Sequence, residues 1–188
     1  MNAGLLIDDL VHRTQQSLNA AIQLAELPLK VLNQRPQPGA WNALECIEHL
    51  NLYGDYYLPE IERRISGSRF PADENFRSGL IGNYFAKMML PSKGAKMKTF
   101  KDKDPIGKVL DNSVLDRFLH QQKQLLDLLE KARNVSLGKT KTGISISPWI
   151  TLKLGDTFRV VIYHNQRHME QAGKAVQQAL ELTPSPAM

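Results

Sequence analysis

The sequence predicts an all-α protein folded as a helix bundle, and three observations carry that reading. Apolar residues recur at three- and four-residue spacing in four separate stretches of the 188-residue chain. Helix-capping residues stand at the start of those stretches. A long Gly-, Pro- and Lys-rich segment, residues 67–110, separates the second stretch from the third and reads as one extended crossover between helices 2 and 3. Four such helices bury their stripes against one another and can aim side chains inward to build a ligand or metal site.

The first helix is expected over about residues 3–33, on the stripe Leu6, Leu10, Leu18, Ala21, Ile22 and Ala25, with Pro28 bending it or ending it early. Arg35-Pro36-Gln37-Pro38-Gly39 is a break. The second helix starts at Asn42, a good N-cap. Glu45 answers it at the third helical position as in a capping box, and Trp41 is placed to pack on Cys46 as a hydrophobic staple. It runs to about Ser66 with Ile47, Leu50, Leu58, Ile61 and Ile65 toward the core, and Pro59 should kink it. Glu45, His49, Tyr53 and Tyr56 form an adjoining stripe.

The crossover holds one short amphipathic piece near Leu80–Leu90. Helix three, about 113–133, is marked by Val114, Leu115, Phe118, Leu119, Leu125, Leu126 and Leu129, with His120 on the solvent side. Residues 144–154 are β-branched and broken by Pro148, which suits an extended connector. Asp156 is expected to cap the last helix, whose buried side carries Phe158, Val161, Ile162, His168, Met169, Ala172, Val176 and Ala179. The reading is one domain over 1–182 and a loose tail over 183–188.

Bulk composition narrows the function classes. With 42% hydrophobic and 23% charged residues, and no apolar run long enough for a span, the chain reads as soluble and not membrane-embedded. MNAGLLIDDLVHR lacks a basic leader with a continuous apolar stretch, so a cytoplasmic location is expected. The lone Cys46 can make no intrachain disulfide and no cysteine-based metal site. Residues 93–108 carry six lysines against Asp102 and Asp104, a local charge of +4 out of a net +5. That run reads as a solvated loop; it has no arginine cluster or interleaved aromatics of the kind single-strand binders use, so nucleic acid is not an expected partner.

The chemistry lies in His164-Asn165-Gln166-Arg167-His168. Residues i and i+4 of an α-helix share one face, so both imidazoles aim at one region, on a line with Val161 and Gln171. A pair so spaced either packs on the bundle or holds a metal. His49 on the second helix supplies a third imidazole, and a divalent ion held by three histidines keeps a coordination position for water or substrate. Metal-bound imidazoles usually give their other ring N–H to an oxygen, and Glu45, one turn before His49, and Gln171, after His168, are the candidates; Glu45 serves either the cap or the imidazole.

Pro38-Gly39-Ala40-Trp41-Asn42-Ala43-Leu44-Glu45-Cys46-Ile47-Glu48-His49-Leu50, together with Gly155-Asp156-Thr157-Phe158 and His164 through Gln171, resembles the DinB/YfiT-like superfamily, and the resemblance spans nearly the whole chain. It implies a four-helix bundle of that type and a divalent metal at the positions matching His49, His164 and His168. Members of the superfamily include thiol S-transferases and a mycothiol-dependent isomerase. The expected function is therefore that of a metal-dependent enzyme using Zn, Ni or Fe, either an S-transferase acting through a thiolate or a hydrolase acting through water. The alternative is a non-catalytic metal- or ligand-binding bundle. The expected partners are a small-molecule substrate such as a low-molecular-weight thiol and, in a homodimer, a second copy of the chain; no catalytic residue is assigned.

Overall fold

A computed structural model describes residues 1–91 and 99–182. Lys93, Lys96 and Lys98 of the lysine run, and the tail expected to be loose, lie outside the described residues. Among the described residues, six helices occur in the order α1 (Ala3–Ala25), α2 (Leu29–Asn33), α3 (Ala43–Ser66), α4 (Leu80–Met89), α5 (Ser113–Ala132) and α6 (Leu154–Leu182). A two-stranded hairpin, β1 (Lys141–Ile144) and β2 (Ser147–Lys153), precedes α6, and one 3-10 turn covers Lys101–Lys103.

The helix starts obey local chemistry. Asn2 caps α1 by accepting the Leu5 N–H at 3.0 Å. Asn42 and Glu45 form the expected capping box on α3: Asn42 Oδ1 accepts the Glu45 N–H at 2.8 Å and Glu45 Oε2 accepts the Asn42 N–H at 3.0 Å. α3 then runs through Pro59 without ending.

Four expectations change. The 3–33 helix is two helices, because Pro28, with no N–H and a fixed φ, stops one and stands at the N-cap of the next. Ile22 belongs to the exposed surface, not the core. Of the connector expected over 144–154, Ser147–Lys153 is strand β2, which pairs antiparallel with β1, Thr142 opposite Leu152, while Leu154 already opens α6, so the protein is mostly helical rather than all-α. α6 begins two residues before Asp156, whose carboxylate serves another helix: it accepts the N–H of Gly79, the N-cap of α4, at 2.8 Å, with Ser78 and Arg159 on its other oxygen.

Packing connects α1 with α5 and α6, α3 with α5 and α6, and α4 with α6. Two apolar clusters result. One joins Leu6, Ile7, Leu10, Ile61, Leu125, Leu129, Phe158 and Ile162. The other joins Leu44, Ile47, Leu50, Phe118, Met169, Ala172 and Val176, with Trp41 against its edge. Each fully buried Leu, Ile, Val, Phe or Met side chain contributes about 1.5–3 kcal/mol, so helix pairing rests on these stripes and not on the polar groups between them. Among the described residues, no helix is long and apolar enough to cross a membrane.

Candidate metal centre

His49 lies one turn beyond Glu45 in α3, so the capping box that fixes where α3 begins also fixes which face carries this imidazole. His164 and His168 lie in the middle of α6, far from fraying ends. Because α3 packs on α6, the three rings meet: centroids are 5.0 Å apart for His49 and His164, and 4.6 Å for each of the other two pairs. One ligand nitrogen from each ring lies within 4.8 Å of the other two, a group able to hold a metal ion. His49 is buried; His164 and His168 are half-buried.

Hydrogen bonds assign the tautomers. A carbonyl oxygen only accepts, so His49 Nδ1, 2.7 Å from the Lys103 carbonyl oxygen, carries the hydrogen and leaves Nε2 bare in the neutral ring. His168 Nδ1 likewise donates to Gln171 Oε1 at 2.9 Å, leaving its own Nε2 bare. His49 Nε2 stands 3.2 Å from His164 Nε2. Two nitrogens bound at about 2.0–2.1 Å to one tetrahedral ion are roughly 3.3 Å apart, so this separation suits a shared cation. The donor set fits such an ion on chemistry as well as on spacing, since neutral imidazole is a ligand for Zn, Ni and Fe.

Electrostatics keep the set neutral. Burial lowers the pKa of all three histidines: His49 against the opposing pull of its bond to the Lys103 carbonyl, His164 well below the ordinary value with its two neighbouring imidazoles adding to the effect, and His168 to about 3. No proton has to be displaced from an imidazolium near neutral pH before a cation binds.

Around the rings, Trp41 lies tilted at 4.8 Å from His49 and 5.7 Å from His168, while Tyr53 sits edge-on at 5.0 Å from His49 and 4.9 Å from His164. Burial pushes the Tyr53 phenol up to about 12. The histidines open onto a cavity of about 510 Å³ between the two apolar clusters, lined by Leu50 from one and by Leu58, Leu125 and Val161 from the other. No carboxylate lines it among the described residues; Arg167, whose guanidinium donates to the Met88 carbonyl at 3.1 Å, is the lysine or arginine that does.

Of the two residues expected to support the imidazoles, Gln171 stands on His168. Glu45 does not contact His49: Arg35 takes both of its oxygens at 2.5 and 2.7 Å, and the Asn42 and Gly107 N–H groups share them. The oxygen on His49 is the Lys103 backbone carbonyl, which leaves no trace in residue type. Nor is the described end of the lysine run merely solvated loop. Lys103 Nζ reaches the Leu52 carbonyl at 3.3 Å, Asp104 accepts the Trp41 indole N–H at 3.1 Å, and Gly107, with φ of +80°, donates to Glu45 at 2.7 Å. Trp41, read from sequence as a staple, is thus a wall of the site. The polar side chains Gln121, Gln122 and Asn165 also line the cavity and have no sequence signature. His12 and His120 are exposed and lie outside the cluster.

Neither the curated proteins nor the solved structures contain a match to this chain. A family model does match: that of the DinB superfamily, over residues 10–172, a span that includes α3, Lys103 to Gly107 and both histidines of α6. With that match covering most of its length, and with three histidines gathered at its cavity, the chain belongs to the DinB superfamily.

Proposed function

We propose that this protein is a divalent-metal-dependent enzyme in which His49, His164 and His168 hold the ion, with a low-molecular-weight thiol as substrate and S-transfer as the reaction; hydrolysis is the related use of the same site. One observation carries the reading: three neutral imidazoles, two with bare Nε2 atoms, meet on the wall of a cavity. Three imidazoles facing one another from two helices are the kind of ligand set that a divalent ion takes while keeping a further position for water or substrate. Contacts of α1, α3, α5 and α6 in a closed ring support the four-helix arrangement of the family.

A bound divalent ion would act as a Lewis acid that lowers the pKa of a thiol or water beside it. The chain's own residues do the rest. Lys103 and Gln171 hold the outer nitrogens of His49 and His168, fixing ring orientation and basicity. Trp41 packs against two of the rings and walls that side of the site. Tyr53 stays protonated at neutral pH and offers a hydrogen-bond donor beside the rings. Arg167 lines the cavity and gives it a positive wall.

Elemental analysis of purified protein, followed by turnover of small thiols with an electrophile, tests the reading. Wild type carries about one ion per chain; His164→Ala and His168→Ala lose most of it and all thiol turnover while far-UV circular dichroism stays helical, because apolar burial holds the helices. Full occupancy in either variant overturns the ligand assignment. Bound ion with no thiol or hydrolytic turnover overturns the enzyme and leaves a metal-binding bundle.

A further inference from the structure

Beyond the histidines, the cavity holds a pair of amides that the proposed reaction does not use. Asn165 lies on α6 three residues before His168, hence on the same helix face, and Gln122 reaches it from α5: Asn165 Nδ2 donates to Gln122 Oε1 at 3.2 Å. Both side chains are buried, 6% and 3% exposed, and both line the cavity. This one bond uses a single donor and a single acceptor. Among the described residues, the Gln122 amino group and the Asn165 carbonyl oxygen have no hydrogen-bond partner in the protein. Neither is a sealed defect; the sealed atom of that kind is Asn51 Oδ1, elsewhere on α3. Exchanging the two amide orientations changes nothing, since one amino edge and one carbonyl edge still face the cavity.

Such edges are expensive to bury and leave unmade, and they select what fills them. A carboxylate would receive donors but meet the Asn165 carbonyl oxygen, and an ammonium would meet the amino group. A neutral group that both accepts and donates satisfies the two together. The rest of the lining near this pair, Leu58, Leu125 and Val161, is apolar and takes the short hydrocarbon stem on which such a group is carried.

We infer that Gln122 and Asn165 form a carboxamide subsite, so that the organic ligand of this cavity bears a neutral amide on a short apolar arm, about one helical turn from the histidines. The inference deepens the proposed function, because it rests on the cavity being the place where an organic substrate binds, and it adds the chemical class of that substrate.

Two thiol-free probes of the same shape test it, N-butylacetamide and butyl acetate, titrated into full-length protein and followed by chemical-shift changes. The ester keeps the carbonyl and lacks the N–H. A purely apolar cavity favours the ester, the more weakly hydrated of the two. Wild type should bind the amide more tightly. In Gln122→Leu/Asn165→Leu, where an apolar pair replaces the amide pair at similar volume, the ester-to-amide ratio of Kd should fall by roughly fivefold, because only the N–H contact to the Asn165 carbonyl oxygen distinguishes the two probes. Asn165→Leu alone, a milder change that keeps the fold if the double variant does not, removes the same acceptor and should lower it about fivefold. An unchanged ratio in these variants, or no measurable binding of either probe to wild type, overturns the subsite. Metal content of the same samples is read separately: protein without an ion that still prefers the amide sinks the metal reading and leaves this one standing.

Discussion

Replacing Gly54 with alanine should destabilise the protein although alanine is the better helix former. Gly54 lies within α3 where α5 crosses, and a Cβ there would sit 2.6 Å from Cδ and 2.9 Å from Nε2 of Gln121. Gln121 cannot swing aside freely: it is buried, and its Nε2 donates to the Asn51 carbonyl at 3.2 Å and to Asp55 at 3.0 Å. Losing those two bonds costs about 2 kcal/mol. Overpacking adds roughly 1–3 kcal/mol, and helix propensity returns about 1 kcal/mol. The net is a loss of about 3 kcal/mol, a fall in Tm of about 6–12 °C at the size of this chain. The decisive assay repeats the change in a Gln121→Ala background, where nothing is left to strike. There Gly54→Ala should raise stability by about 1 kcal/mol, measured by urea titration. If the sign is the same in both backgrounds, contact with Gln121 is not what keeps this position a glycine.

Acidification should destabilise the metal-free protein below about pH 6.5. His49, His164 and His168 have folded pKa values below their unfolded value, so the stability tied to their neutral form is complete above about 6.5. It drains away as pH falls through that value toward about 3, where His168 protonates in the fold, by up to about 1.4 kcal/mol per pH unit per histidine. Urea titrations between pH 5 and 7 check this, and a variant lacking His164 and His168 should show a shallower slope. Glu45→Ala should cost about 2–4 kcal/mol, because it removes half of a capping box and strands Arg35 and the Gly107 N–H, whereas Glu45→Asp, too short for both tasks, should recover only part of it. Saturating zinc at about 100 times Kd should stabilise wild type by about 2.7 kcal/mol, reversed by chelator, and leave His164→Ala unmoved in differential scanning calorimetry.

Features that residue type and spacing encode locally were readable. The capping box on α3, the solvent position of His120 and the shared face of His164 and His168 arise from a helical period and short-range hydrogen bonding. Departures occur wherever a group's partner is distant in sequence. Asp156 has the residue type and position of a cap for its own helix, because capping is recognised from the few residues on the C-terminal side of the cap; in the fold it serves Gly79, 77 residues away. Residues 141–144 carry too short a pattern to announce a strand until 147–153 lies beside them.

Amino-acid order was enough to establish that this chain is helical, where its long helices run, and that His49, His164 and His168 stand on helix faces able to share a cation, since those properties need only the 3.6-residue repeat and the apolar stripes. The surroundings of the three rings came from the packed fold. The Lys103 carbonyl on His49, the turning of Trp41 onto the rings, the commitment of Glu45 to Arg35 and the meeting of Gln122 with Asn165 depend on separate segments coming into contact, or on a backbone atom that every residue possesses. Such contacts are set by the packing of whole helices and the loops they carry, so no local pattern can encode them.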